Sequence, residues 1–160
     1  MTTATMTTRR ARPPKGYRPP AIHFTDEHGR KCVRVPLDSY GRNYAVALER
    51  DYRAVRATGA TGTWRLNAND KGQHYVRTAV PDGKGGSTVV QVARLMAHAT
   101  ARTAIYYVNK DRLDLRPENF FYGKNPRPRR CDVKLAERGA RYRKERQQQR
   151  EEEAQRGAAA

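Results

Sequence analysis

The chain has 160 residues, with 33 Lys and Arg against 16 Asp and Glu and a formal net charge of +17 at pH 7. That length fits one ordinary domain with tails. The charge carries self-repulsion that a polyanionic partner relieves, and a membrane is excluded as that partner because no window nears the roughly 18 apolar residues of a span and no basic amphipathic helix stands out.

In chain order, residues 1–21 hold Arg9, Arg10, Arg12, Lys15 and Arg18, no acid and four prolines. Such a segment buries too little to offset its ordering entropy, so a disordered basic arm is expected. No apolar run follows the arginines, which excludes a secretory signal and leads us to expect a soluble, cytoplasmic protein. Apolar residues for a core lie between Ile22 and Tyr122. Val33, Val35 and Leu37 alternate with polar residues, and Tyr44, Val46 and Leu48 do the same, predicting two strands. From Glu49 to Thr58 the period changes and puts Tyr52 and Val55 on one face of a short helix. Gly59 and Gly62 mark a turn before a strand that starts at Trp64 and Leu66.

Pro81-Asp82-Gly83-Lys84-Gly85-Gly86 is a turn signal between two strand-like runs, so 73–80 and 87–92 read as a β-hairpin. Val92 to Ala99 reads as a helix with Leu95 and Met96 facing inward. Ile105 and Val108 precede a polar segment, and Arg116-Pro117-Glu118-Asn119 reads as the start of a helix with proline in its first turn. From Asp132 the chain is helix-permissive but polar on all sides, a solvated rod or a segment ordered on a polyanion. Gly139 is expected to weaken that helix by about 1 kcal/mol relative to alanine. Cys32 and Cys131 form no Cys-x-x-Cys pair and have no histidine at zinc-like spacing, so they read as buried or incidental thiols.

The run Ile105-Tyr-Tyr-Val-Asn-Lys-Asp-Arg-Leu-Asp-Leu-Arg-Pro-Glu-Asn119 carries the most information. It resembles the core of the HNH endonuclease family of phage and homing-type nucleases, whose pattern reads approximately V-D-H-I-N-G-D-x-x-D-N-R-x-E-N-L. Val108, Asn109, Asp111, Asp114, Arg116, Glu118 and Asn119 match it. Upstream, Glu49-Arg-Asp-Tyr52, Thr63-Trp-Arg-Leu66, His74-Tyr-Val-Arg77 and Ala93-Arg-Leu-Met96 fall in the family's order, so the likeness covers residues 43–122. The resemblance implies a β-hairpin followed by a helix around one divalent metal. In the family a histidine acts as general base, an aspartate and a later histidine or asparagine hold the metal, and an asparagine orients the histidine.

Here the Asp-His pair is Tyr106-Tyr107. A phenol with a reference pKa near 10 is a poor base at neutral pH. Ala93 replaces the histidine of the family's H-R-L-I segment, Leu115 the loop asparagine, and Pro128 the later ligand; Asn125 is the nearest substitute, in a shifted register. His98, His74, His23 and His28 do not fall at the position of the base. No metal site, catalytic residue or cofactor is therefore expected. Asn109, Asp111, Asp114 and Asn119 are expected to be structural, through turn bonds and a hydrogen bond across the loop.

The reading that follows is an α+β protein: a small antiparallel sheet, a ββα HNH-like core at 105–122 inside a domain over 22–122, basic tails, and a polar C-terminal helix within 123–160. Its function is nucleic-acid binding, with DNA favoured over RNA, in the nucleoid or in the cytoplasm of a phage-infected cell. Arg94, Arg102, Lys110, Arg112, Arg116, Lys124, Arg127, Arg129 and Arg130 are the candidate phosphate contacts, each also describable as a solvated charge. Tyr106 and Tyr107 either stack on a base or sugar or fill the space left by the metal site. Two alternatives stand beside this: a divergent nuclease using Mg2+ with Asp111, Asp114 or Asn125, and a phage or mobile-element factor binding RNA, a ribonucleoprotein or a host complex.

Overall fold

The computed structural model describes residues 12–60, 62–127 and 131–158. Three small antiparallel sheets and three helices make an α+β fold, where the sequence suggested one sheet. The first sheet joins β1 (Ile22–Thr25), β2 (Lys31–Pro36) and β3 (Tyr44–Leu48) in that order. Val33 and Val35 of β2 enter the core as their alternation predicts. In β3 the fully buried face is Ala45 and Ala47, while Tyr44 and Val46 are half-buried. The β2–β3 turn is organised by Asp38, whose carboxylate accepts the backbone N–H groups of Tyr40, Arg42 and Asn43. Burial pushes this carboxyl upward, and those N–H donors outweigh it and hold it below the usual range.

Helix α1 (Glu49–Ala57) carries Glu49 and Asp51 in its first turn and Arg56 in its last, the order that the helix dipole favours. Val55 faces the core, and Tyr52 meets Trp64 edge-to-face at 5.4 Å. The second sheet joins β4 (Arg65–Ala68), β5 (His74–Pro81) and β6 (Ser87–Gln91). In β5 the inward residues are Val76, Thr78 and Val80, and the Thr78 hydroxyl donates to the Gly62 carbonyl at 3.0 Å. The β5–β6 tip is held by Asp82, which accepts from the N–H groups of Lys84 and Gly86.

Helix α2 (Val92–Met96) is short, with Val92, Ala93, Arg94 and Leu95 buried. The third sheet pairs β7 (Thr103–Tyr107) with β8 (Phe120–Lys124). The expected helix at Arg116-Pro117 is a single 3-10 turn, Pro117–Asn119, which feeds directly into β8. Of the segment read as a basic arm, Arg18 donates its guanidinium to the Trp64 carbonyl and Ala21 packs on the core, while Arg12 and Pro14 to Tyr17 are exposed. Residues 1–11 of that arm, with Arg9 and Arg10, are outside the described residues.

Helix α3 (Asp132–Ala158) is not polar on all sides. Asp132, Ala136 and Gly139 recur on one face and are buried, and the face docks on β5. The first turns of the segment read as a tail therefore belong to the domain. From Lys144 onward α3 is exposed. Among the described residues no helix is long and apolar enough to cross a membrane.

Gly139 reverses its expected effect. A Cβ there stands 2.9 Å from the Pro81 carbonyl oxygen, so the glycine lets α3 sit on β5. Gly139→Ala is expected to destabilise the protein by about 1–3 kcal/mol through overpacking, although helix propensity alone gives a gain of about 1 kcal/mol. Urea midpoints of the two proteins decide the sign.

Candidate nucleic-acid interface

The loop between β7 and β8 is closed by its own polar side chains. Asn119 is buried, and its Nδ2 donates to the carbonyls of Asp111 at 3.0 Å and Asp114 at 2.8 Å, while its Oδ1 accepts the Asn109 N–H at 3.0 Å. Asn109 Oδ1 accepts the Asp111 N–H, and Asp111 Oδ1 accepts the Leu113 N–H, both at 2.8 Å. Short polar side chains are suited to such local bonds. Asn109, Asp111 and Asn119 thus hold the loop through hydrogen bonds within it and across it. The loop is also stitched to β3, since the Val46 N–H donates to Leu113 O and the Leu115 N–H donates to Val46 O. Leu115 is almost fully buried in the core, which accounts for an apolar side chain at that loop position. Lys110 takes a left-handed conformation, φ 63°, and is exposed.

Beside this loop lies a cleft of about 450 Å3 between the β5–β6 sheet and the β7–β8 hairpin. Lys110, Arg112 and Lys124 line it, together with Tyr75, Tyr106, Tyr107 and Phe121, and its lining contains no carboxylate and no histidine. The Arg112 guanidinium lies 4.9 Å from the Tyr75 ring centroid, a cation–π contact that holds it in the wall. The two tyrosines have separate roles. Tyr106 is exposed and stacks on Phe121, with centroids 5.0 Å apart. Tyr107 turns inward, edge-to-face with Phe120 at 5.6 Å. Burial pushes the Tyr107 phenol up to about 12 against the opposing hydrogen bond of the Gln91 side chain, so it keeps its proton at neutral pH.

Two of the arginines considered for phosphate contact, Arg94 and Arg116, are engaged within the protein. Arg94 is buried, donating to Thr103 O at 2.7 Å and Thr100 O at 2.6 Å, and its Nε lies 3.7 Å from Asp132. It ties α2, β7 and α3 together at the base of the cleft. Arg116 forms a two-point ion pair with the buried Asp114 at 2.9 and 2.8 Å and lies within 4 Å of Asp26, Glu27 and Glu118. Asp114 is thus an ion-pair acceptor as well as a turn residue, and it also accepts from Asn109 Nδ2 at 3.2 Å. Arg30 completes this network by bridging Asp26 and Glu118. The Arg30 guanidinium holds the Asp26 and Glu118 carboxyls below the usual carboxylate range.

Arg102, Lys124 and Arg127 are exposed, and the Asn125 N–H donates to the Arg102 carbonyl at 2.7 Å, keeping the cleft rim together. Arg129, Arg130 and Pro128 fall outside the described residues. Cys32 is buried beside Asp26, and Cys131 is half-buried; both are free thiols. Among the described residues no three His, Cys, Asp or Glu side chains gather as a metal site requires. Sequence reasoning missed Tyr75, Gln73, Gln91 and Phe121 in the cleft, because β5 and β6 approach the hairpin only in three dimensions. No known family, curated protein or solved structure matches the chain.

Asn119→Ala strands two carbonyls and one N–H in a buried loop, and a loss of about 2–3 kcal/mol in unfolding free energy is expected, read by thermal or urea denaturation. The lowered pKa values of Asp26 and Glu118 mean that the unfolded chain binds more protons than the folded one in acid. Their contribution to stability is therefore present at neutral pH and lost as pH falls below about 4. Arg30→Ala should flatten this acid limb in urea titrations between neutral and acid pH.

Proposed function

We propose that the chain is a nucleic-acid-binding protein, with DNA favoured over RNA, on an HNH-nuclease-like module that does not cleave. The observation that carries this reading is the cleft, where Lys110, Arg112 and Lys124 meet aromatic rings with no carboxylate in the lining. Cations placed this way attract phosphate and release counterions when it binds. Rings beside them give a backbone-tracking groove a surface for bases or sugars.

The HNH-like reading draws support from three features. The order strand, loop, strand, helix is present in β7, β8 and α3. Asn119 closes the loop. Lys110, at the position of the pattern's glycine, has the positive φ that glycine favours. Against a simple metal-finger core, α3 docks on β5 through Gly139. The non-cleaving part of the reading rests on Tyr107. A phenol pushed up to about 12 is a poor match for a base that must accept a proton near neutral pH. Asp114, one candidate ligand of a divergent nuclease, is already engaged by Arg116 and Asn109.

The test is a titration of labelled duplex DNA, single-stranded DNA and RNA at two salt concentrations, with Mg2+ present, the probe examined afterwards on a denaturing gel, and the salt slope read on the probe bound most tightly. Binding should weaken steeply with salt and leave the probe intact. Replacing Lys110, Arg112 and Lys124 together by alanine should lower the slope of log affinity against log salt by about 2–3. A probe cut in a Mg2+-dependent manner restores the nuclease reading. Tighter binding to RNA at equal salt moves the function toward a ribonucleoprotein factor. An unchanged slope in the triple variant rejects the cleft as the interface.

A further inference from the structure

We infer that the cleft takes an unpaired nucleotide strand, with a base stacked on the Tyr106–Phe121 pair; this rests on the nucleic-acid-binding reading and specifies its ligand. Tyr106 and Phe121 stand opposite each other in the β7–β8 register and stack with ring planes 20° apart. Each is about half exposed, 48% and 50%. Exposed paired rings on a two-stranded hairpin bury little for the fold. Their position is nevertheless built in, because Gly123 has no side chain under Tyr106. A Cβ at Gly123 falls 2.9 Å from Tyr106 Cε2, so any larger residue tilts the ring away. A glycine inside a strand commonly marks such a close approach.

Both rings line the same cleft as Lys110, Arg112 and Lys124, so stacking surface and phosphate-seeking charge lie within one nucleotide's reach of each other. The volume of about 450 Å3 falls within the range of a small-ligand pocket. A concave site of this size does not admit a duplex, whose base faces are already covered by their neighbours. An unpaired strand offers free base faces, and stacking on aromatic side chains tolerates any base. The amides of Gln73, Gln91 and Asn125 also line the cleft, within the setting where base edges of single strands are read. The occupant is set by charge: the lining has cations and no acid, which suits a phosphate-bearing strand and opposes an acid-poor peptide or a second copy of this basic chain.

The experiment measures affinity of the full chain for a labelled oligothymidylate of about 12 nucleotides, an oligouridylate and a blunt duplex of equal length, all at one salt concentration. Wild type is compared with Tyr106→Ala, Tyr106→Phe and the Lys110/Arg112/Lys124 triple alanine variant. The expected result is tighter binding to single strand than to duplex, an about five- to one-hundred-fold loss for single strand in Tyr106→Ala, and retention in Tyr106→Phe. The two oligonucleotides tell whether the strand is DNA or RNA. Equal or tighter duplex binding, or full single-strand affinity in Tyr106→Ala, overturns the inference. In that event, a triple variant that still weakens duplex binding leaves the nucleic-acid-binding reading standing; a triple variant without effect on any probe removes both.

Discussion

The Asn119 carboxamide holds the β7–β8 loop by three bonds at once, to Asp111 O, Asp114 O and Asn109 N. A buried amide with all these partners satisfied fixes one loop conformation, because any other leaves polar groups unpaired. The cleft depends on it. Lys110 and Arg112 project from the loop that Asn119 closes, and Asp114 is presented to Arg116 by the same turn. The two bonds to Val46 then set this loop against the first sheet, anchoring it to β3. One side chain therefore links the sequence run 109–119 to the placement of charge some distance away.

Six of the basic residues around the hairpin fall into two sets with different surroundings. Arg30, Arg94 and Arg116 are spent on carboxylates and carbonyls inside or beside the domain, where the planar guanidinium makes several directed bonds. They join segments distant in sequence, as Arg30 joins the β1–β2 turn to Glu118. Lys110, Arg112 and Lys124 instead face the cleft. The net charge describes their sum and hides this division, which appears only when each guanidinium is traced to its acceptors.

What the sequence made legible was local. The strands of β2 and β5, helix α1 and the Asp82 turn follow from residues within a few positions of one another, and the bonds of Asn109, Asp111 and Asn119 lie within one short loop. What it hid depended on distant partners. Arg94 and Arg116 look the same in sequence as Arg112, yet beyond their near neighbours Arg94 meets Asp132 and Arg116 meets Asp26. The docking face of α3 combines Asp132, Ala136 and Gly139 with the partly buried Val133 and Leu135, too few large apolar residues to stand out in a polar run. Gly139 reads as a helix defect until Pro81 lies against it. The split into three sheets likewise reflects turns and twist that strand periodicity does not encode. Within the cleft, Lys110, Arg112, Lys124, Tyr106 and Tyr107 were found from sequence, while Tyr75 and Phe121 needed the fold.

Lys110 shows how the loop distributes its compromises. Its φ of 63° places an L-residue where the Cβ crowds the backbone, at a cost of about 1–2 kcal/mol that glycine does not bear. A glycine there would relax the backbone and at the same moment subtract one positive charge from the mouth of the cleft. Folding robustness and electrostatic reach are thus opposed at a single position. An effort to thermostabilise this chain by backbone idealisation would choose that substitution early and would strip a positive charge from the cleft while improving its melting behaviour.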